Sequence, residues 1–345
     1  MAGYIIRRLL WLPVILLIVS FFTFAIARFG PGDPVSIAAG QFRDPEILER
    51  VRAERGLDGS LFEQYARWLL GDIVPNGRGG GALRGDFGDS FIQQGFSVNE
   101  LIRTKMAISA QLGLLTLVIV FSVGIPLGLL AARFSGSWID PFVISTLLFL
   151  TSVPSLVLIP PALWLLASPE QLGILPVGGW GGEGIDGLFD IWWIGGVVAL
   201  PIPDPHLYLP VFVLSIGGFA GVARLVRITA LEVLSEDYIR TARAKGLPET
   251  TVALRHVLPN ALLPVITVIG FALVGILEGA FFVETLLGIP GIGRFAFEAV
   301  QSRDYDVILA ITVILSAAFV LANLVVEVAY TWIDPRIRLG AAVNA

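Results

Sequence analysis

Residues 235–264, SEDYIRTARAKGLPETTVALRHVLPNALLP, form a charged, slightly basic island between two apolar runs at about 207–226 and 261–283. The island carries its own helix signals. Ser235 is a plausible N-cap, and Glu236 and Asp237 place negative charge in a first turn, where the helix dipole favours it. Arg243 and Lys245 fall in the last turn, and Gly246 stands where a glycine closes a helix. A helix of about ten residues is expected, with Tyr238, Ile239, Ala242 and Arg243 as neighbours at helical spacing. Pro248 suits the first turn of a second helix running to about Leu258.

Outward from the island, the chain is a membrane protein by composition. Of its 345 residues, 55% are hydrophobic and 15% charged, and the mean hydropathy is +0.81. An ordinary soluble domain is excluded. Apolar runs lie at about 9–27, 107–132, 141–167, 207–226, 261–283 and 307–332. Each reaches the roughly twenty residues that a bilayer core requires. The expectation is an all-α polytopic membrane protein with six transmembrane helices.

The basic residues set its orientation. With the N-terminus inside, the cytoplasmic segments hold Arg7, Arg8, Arg133, Arg224, Arg227, Arg240, Arg243, Lys245, Arg255, Arg336 and Arg338. Residues 168–206 contain no Lys or Arg, and the other short outer loop holds only Arg294 and Arg303. Both termini and the island are therefore expected in the cytoplasm. Arg28, Arg103 and Lys105 lie near the ends of a loop long enough to cross regardless of charge. Ala25-Ile26-Ala27 after Arg7-Arg8 resembles a signal-peptidase site, but the apolar stretch exceeds a signal h-region, so an uncleaved first helix is expected.

Three regions follow. Residues 1–106 comprise the first helix and a large outer domain, with a turn at Gly30-Pro31-Gly32-Asp33-Pro34 and short amphipathic helices at 44–56 and 61–70. Residues 107–332 hold a five-helix core with the cytoplasmic loop 227–260 and the Gly- and Pro-rich outer loop 168–206. Residues 333–345 are a cytoplasmic tail. Residues 191–200, with Trp192 and Trp193, are too short to span and suit a helix or hairpin on the outer surface. Gly124-x-x-x-Gly128 and Gly217-x-x-x-Gly221 would let helices approach closely. Pro126, Pro154, Pro160 and Pro161 are expected at kinks or broken helix ends.

The wording Y-I-R-T-A-R-A-K-G-L, followed by R-H-V-L-P-N-A-L-L-P, resembles the coupling motif of permease subunits of ATP-binding-cassette importers. That motif reads E-A-A, three residues, Gly, nine residues, I-x-L-P. In register, E-A-A falls on Arg240, Thr241 and Ala242, Gly on Gly246, and I-x-L-P on His256 to Pro259. Arg240 and His256 depart from the pattern. F-G-P-G-D-P after the first helix and G-D-F-G-D-S before the second extend the likeness to the branch importing dipeptides, oligopeptides and nickel chelates.

The resemblance implies a type I importer permease fold in the plasma (inner) membrane of a prokaryote. It also implies a second homologous permease, forming a heterodimer, two ATPase subunits below and an outer solute-binding protein. ATP and Mg would be bound by the ATPases, and this chain would hold no cofactor or metal. Tyr238, Ile239, Arg240, Thr241, Ala242, Arg243, Lys245, Gly246 and Leu247 would couple to the ATPase. Moving a two-state equilibrium from 1:99 to 99:1 takes roughly 5.5 kcal/mol, and exposed ion pairs supply about 0–1 kcal/mol each. The apolar and small face of Tyr238, Ile239, Ala242 and Leu247 is therefore expected to supply most of the docking.

Other chemistries lack their residues. The two lysines, Lys105 and Lys245, complete no G-x-x-x-x-G-K-[ST] phosphate loop, so the chain is not its own P-loop ATPase. The histidines, His206 and His256, form no H-E-x-x-H, no G-x-S-x-G occurs, and no cysteine is present. An enzyme is not expected. The alternative is an ATP-independent secondary carrier, which needs ionisable groups near the midplane. Glu278 and Glu327 are the candidate pathway carboxylates; both lie off-centre and make poor evidence for proton coupling.

Overall fold

The computed structural model describes residues 2–29, 45–54, 57–74, 79–90, 92–93, 95–180, 189–190, 193–194, 197–198, 202–203, 205–278 and 280–333. The expected turn at 30–34 and the tail beyond Ile333 lie outside them. Among the described residues four helices are long and apolar enough to cross a membrane: Leu9–Phe29, Val98–Arg133, Pro205–Leu234 and Tyr305–Val325. The other two apolar runs fall on bent pairs, Ile139–Ser152 with Leu156–Ala167 at 96° and Glu249–Ala261 with Leu263–Gly270 at 46°. Among the described residues the helical architecture thus offers four candidate spans, or up to six when each bent pair counts as one.

The bends have local causes. Val153 precedes Pro154 and is driven out of the helical region, to φ −95° and ψ 114°, so the first helix of that pair stops at Ser152. Pro160 and Pro161 lie inside Ser155–Ala162, which widens into a π-helical turn at Leu163–Ala167. Pro126, in contrast, sits within the continuous Val98–Arg133 helix.

The chain divides into two units, residues 1–108 with 290–321 and residues 109–289 with 322–345. In the first, Phe87, Val98, Leu101 and Ile102 pack against Ile292, Phe295, Ala299, Val307 and Ala310. The Leu61–Leu70 helix begins at a capping box, Ser60 with Glu63. Its Tyr65 and Trp68 lie against Phe24, and Phe62 stacks on Phe21 at 5.5 Å. The G-D-F-G-D-S stretch is a structural knot. Asp86 accepts from the Gly80 and Gly88 amides, Phe87 is buried, and Ser90 donates to the buried Asp304.

In the second unit the Tyr208–Leu234 helix is the most enclosed, burying Val213, Ile216, Ala220, Ala223 and Val226 along its length. Gly124 and Gly128 face it directly. A Cβ at Gly124 would stand 2.8 Å from the Phe219 carbonyl oxygen, and one at Gly128 would overlap the Ala223 carbonyl oxygen. The first small-residue pair is therefore a helix contact, as expected. The second is not: a Cβ at Gly217 or Gly221 meets nothing within 4 Å, and Gly218 makes the close approach instead, to Val120. Arg227 donates two hydrogen bonds to Asp140, at 2.5 and 2.6 Å.

Within this helical chain the 168–206 loop carries two short strand pairs. Phe189–Asp190 pairs with Ile202–Pro203, and Trp193–Ile194 pairs with Val197–Val198, both antiparallel. Trp193 and Ile194 precede a Gly-Gly pair and Val197 and Val198 follow it, a pattern that favours a tight hairpin over a helix.

Candidate functional site

The helix in the charged island runs from Asp237 to Ala244. Its N-cap is Glu236, with extended backbone (ψ 147°), and not Ser235. Ser235 instead ends the preceding Tyr208–Leu234 helix in helical geometry, with its hydroxyl donating to the Glu232 carbonyl at 2.6 Å. A hydroxyl spent on the helix behind it cannot cap the one ahead. At the other end Lys245 is the C-cap and Gly246 takes φ 77°. The Gly246 amide donates to the Arg243 carbonyl and the Leu247 amide to the Ala242 carbonyl. This pair of bonds is a Schellman closure, and the left-handed residue in it is the one best served by glycine.

Pro248 is the N-cap of the next helix, one position before its expected first turn. That helix begins at Glu249–Thr251, widens into a π-helical segment at Val252–Val257, and ends as Leu258–Ala261. Pro259 explains the widening. It has no amide hydrogen and its ring crowds the carbonyl one turn back, while the Leu258 amide reaches back to the Ala253 carbonyl instead. His256 is half-buried, and its carbonyl accepts from the Asn260 side chain at 2.7 Å.

The short helix has two faces of different character. Ile239 is fully buried and Ala242 nearly so, packed with Ala132, Ala230, Val252, Val257 and Ala261. Tyr238, Arg240, Thr241, Lys245 and Leu247 are exposed. Ile239 and Ala242 therefore anchor the helix to the rest of the chain and are not presented to a partner. Of the apolar docking face expected from sequence, Tyr238 and Leu247 remain available.

The charges are also unequal in their commitments. Arg243 donates to both oxygens of Glu249, at 2.8 and 3.2 Å, which closes the island's two helices on each other. That hydrogen bonding and the positive field of Arg243 and Arg133 hold the Glu249 carboxyl below its ordinary value, against a smaller opposing effect of burial. Among the described residues Arg240 pairs with Asp237, one turn away at 3.2 Å, with both side chains strongly exposed. Burial, and next the Glu236 carboxylate, push the Tyr238 hydroxyl up, so it stays a neutral hydrogen-bonding group.

Glu278 closes the Leu263–Glu278 helix and Glu327 lies within Tyr305–Ile333, but their side chains are outside those described. Three buried acids were not read from the sequence: Asp140, Glu284 and Asp304. Glu284 lies one residue beyond an apolar run, and Asp140 one residue before another, where each reads as an ordinary boundary charge. Among the described residues no three His, Asp or Glu side chains cluster as metal ligands do.

Known proteins resemble the chain along nearly its whole length. Residues 124–339 match the model of a family described as the inner membrane component of binding-protein-dependent transport systems. Residues 1–113 match the corresponding N-terminal membrane-component family. A probable peptide ABC transporter permease of Sinorhizobium fredii is 35% identical over 98% of this chain and 100% of its own length. An oligopeptide permease of Bacillus subtilis is 35% identical with the same coverage. A probable D,D-dipeptide permease of Escherichia coli is 36% identical, covering 97% of this chain and 98% of its own. By the family model over residues 124–339 and these full-length relatives, the chain belongs to the binding-protein-dependent transport system inner membrane components, the membrane subunits of ATP-binding-cassette importers.

Proposed function

We propose that this chain forms half of the transmembrane pathway of an ATP-driven importer of short peptides. It does so as six spans with both termini in the cytoplasm of a prokaryotic inner membrane. The peptide class is taken from the relatives, whose names specify peptides, oligopeptides and dipeptides. A second, non-identical permease completes the pathway, two ATPase subunits bind ATP and Mg below it, and a solute-binding protein delivers cargo outside. The residues 29–106 and 168–206 are the outer surface for that delivery.

The observation that carries the coupling assignment is the two-faced Asp237–Ala244 helix. Its inner face is fixed to the chain by Ile239 and Ala242, so a push on the outer face is transmitted to the spans instead of being absorbed by a loose loop. Tyr238, Arg240, Thr241, Lys245 and Leu247 are the residues that meet the ATPase. Arg243 and Gly246 hold the shape of the segment.

The test is purification of the detergent-solubilised chain with identification of every co-purifying subunit and an ATPase assay. Retention of a P-loop ATPase and a second permease, reduced by Arg240→Glu, supports the reading. A chain that purifies alone and moves peptide across liposomes without ATP is a secondary carrier.

A further inference from the structure

Glu284 is fully buried, and its surroundings explain how a carboxylate is kept there. After the Leu263–Glu278 helix the chain turns, and a short helix starts at Phe281 with Ala280 as its N-cap in non-helical geometry, φ −108° and ψ 69°. No side chain of Ala280 can close that end. Glu284 closes it: its Oε1 accepts the Ala280 amide hydrogen at 3.1 Å, while its own amide donates to the Ala280 carbonyl at 2.8 Å. The same Oε1 accepts the hydroxyl of Ser109 at 2.6 Å, from a residue 175 positions earlier and itself buried. Two donors on one oxygen are the kind of satisfaction that a buried carboxylate requires.

Both groups that Glu284 holds, Ser109 and Ala280, stand in the wall of a cavity of about 250 Å³. Leu112, Thr116, Leu214 and Gly275 supply other parts of that wall, which is mostly apolar. The carboxylate thus sits behind the polar corner of the cavity and fixes both sides of it. A neutral cap could have closed a short helix at less desolvation cost, so an acid kept fully buried here calls for a role beyond capping.

We propose that Glu284 is a positioning residue of the translocation pathway, holding Ser109 and the Ala280 backbone together as the polar corner of the cavity between them. The proposal rests on the reading of this chain as a pathway-forming permease subunit. Glu284 does not touch cargo; it sets the wall that cargo passes. What it needs from position 284 is an acceptor in the right place, which a glutamine oxygen can also provide.

The test uses the complete importer reconstituted in liposomes with its binding protein. Glu284→Ala should lower uptake at saturating loaded binding protein by about tenfold or more, the scale of leaving two buried donors without their acceptor, with KM for the binding protein unchanged within about twofold. Glu284→Gln should restore uptake to within about threefold of wild type, because its amide oxygen still accepts from Ser109 and Ala280. Wild-type uptake by Glu284→Ala, or a Glu284→Gln as inactive as Glu284→Ala, overturns the positioning role. The absence of cysteine from the chain gives a second readout that does not need transport or the survival of Glu284→Ala. Thr116→Cys is labelled with a maleimide in the Ser109 and Ser109→Ala backgrounds. A change in labelling rate of about threefold or more is expected once one hydrogen bond to the corner is gone; equal rates overturn the proposal. Lack of ATP-dependent uptake by the wild-type complex is a different failure, of the permease reading itself.

Discussion

The guanidinium of Arg243 spans the Gly246 turn to grip both oxygens of Glu249, at 2.8 and 3.2 Å. Its partner's carboxyl lies below the ordinary value of 4.5, first through the Arg243 hydrogen bonds. A carboxyl depressed in the folded state contributes its stability above the unfolded value and loses it as pH falls through the lower, folded one. The stability difference between wild type and Glu249→Gln should therefore hold constant from pH 7 to about pH 5 and fade only below the ordinary carboxylate range. It should also be small, at most about 1 kcal/mol, because both side chains are half exposed. Thermal unfolding of the solubilised protein across that range checks both points; a difference that grows on acidification would contradict the assignment.

Gly246 offers a cleaner probe of geometry. A Cβ there meets nothing within 4 Å, so substitution acts through the backbone alone at φ 77°. Gly246→Val should strain the Schellman closure by about 1–2 kcal/mol, whereas Gly246→Asn, more tolerant of the left-handed region, should cost less. Uptake and the ratio of peptide carried to ATP hydrolysed should fall in the same order, with subunit assembly intact. Equal behaviour of the two variants would remove the closure from the coupling mechanism.

Legibility in the sequence divides along physical lines. What depends on a residue and its near neighbours was readable: the closure at Gly246, the Leu61–Leu70 helix, the break before Pro154. What depends on a distant partner was not. Ser235 looks like an N-cap until the preceding helix is seen to run through Leu234. Ile239 and Ala242 look like a docking face until Val252, Val257 and Ala132 are seen against them. Glu284 reads as a boundary charge until Ser109, far away in the chain, is seen bonded to it. The π-helical segment before Pro259 is intermediate, since the proline announces trouble but not how the helix absorbs it.

The two small-residue pairs make opposite predictions. Gly128 faces the Ala223 carbonyl so closely that any side chain forces the helices apart, while Gly221 faces open space in this chain. Gly128→Leu should lower the thermal stability of the isolated permease sharply, in the range of about 1–3 kcal/mol typical of overpacking. Gly221→Leu should leave the isolated chain unchanged within about 0.5 kcal/mol. If Gly221→Leu instead destabilises the isolated chain as strongly, the packing described for the Tyr208–Leu234 helix is wrong.

The Asp237–Ala244 helix, proposed above to couple to the ATPase, yields the sharpest contrast, between positions one residue apart. Ile239→Ala removes a fully buried side chain from the cluster around Val252 and Val257, at a cost of about 2–5 kcal/mol. Ala242→Asp places an unpaired charge in the same cluster. Both should appear first as lowered unfolding temperature and poor yield, so lost uptake in them says little about ATPase contact. Tyr238→Ala and Arg240→Glu change only exposed groups. They should leave the stability of the isolated permease within about 0.5 kcal/mol of wild type, yet reduce ATPase retention and peptide uptake. The charge reversal should weaken further as salt is lowered, because screening that hides repulsion is withdrawn. Wild-type uptake in both surface variants, with assembly confirmed, would mean that the outward face of Asp237–Ala244 is not where the ATPase docks.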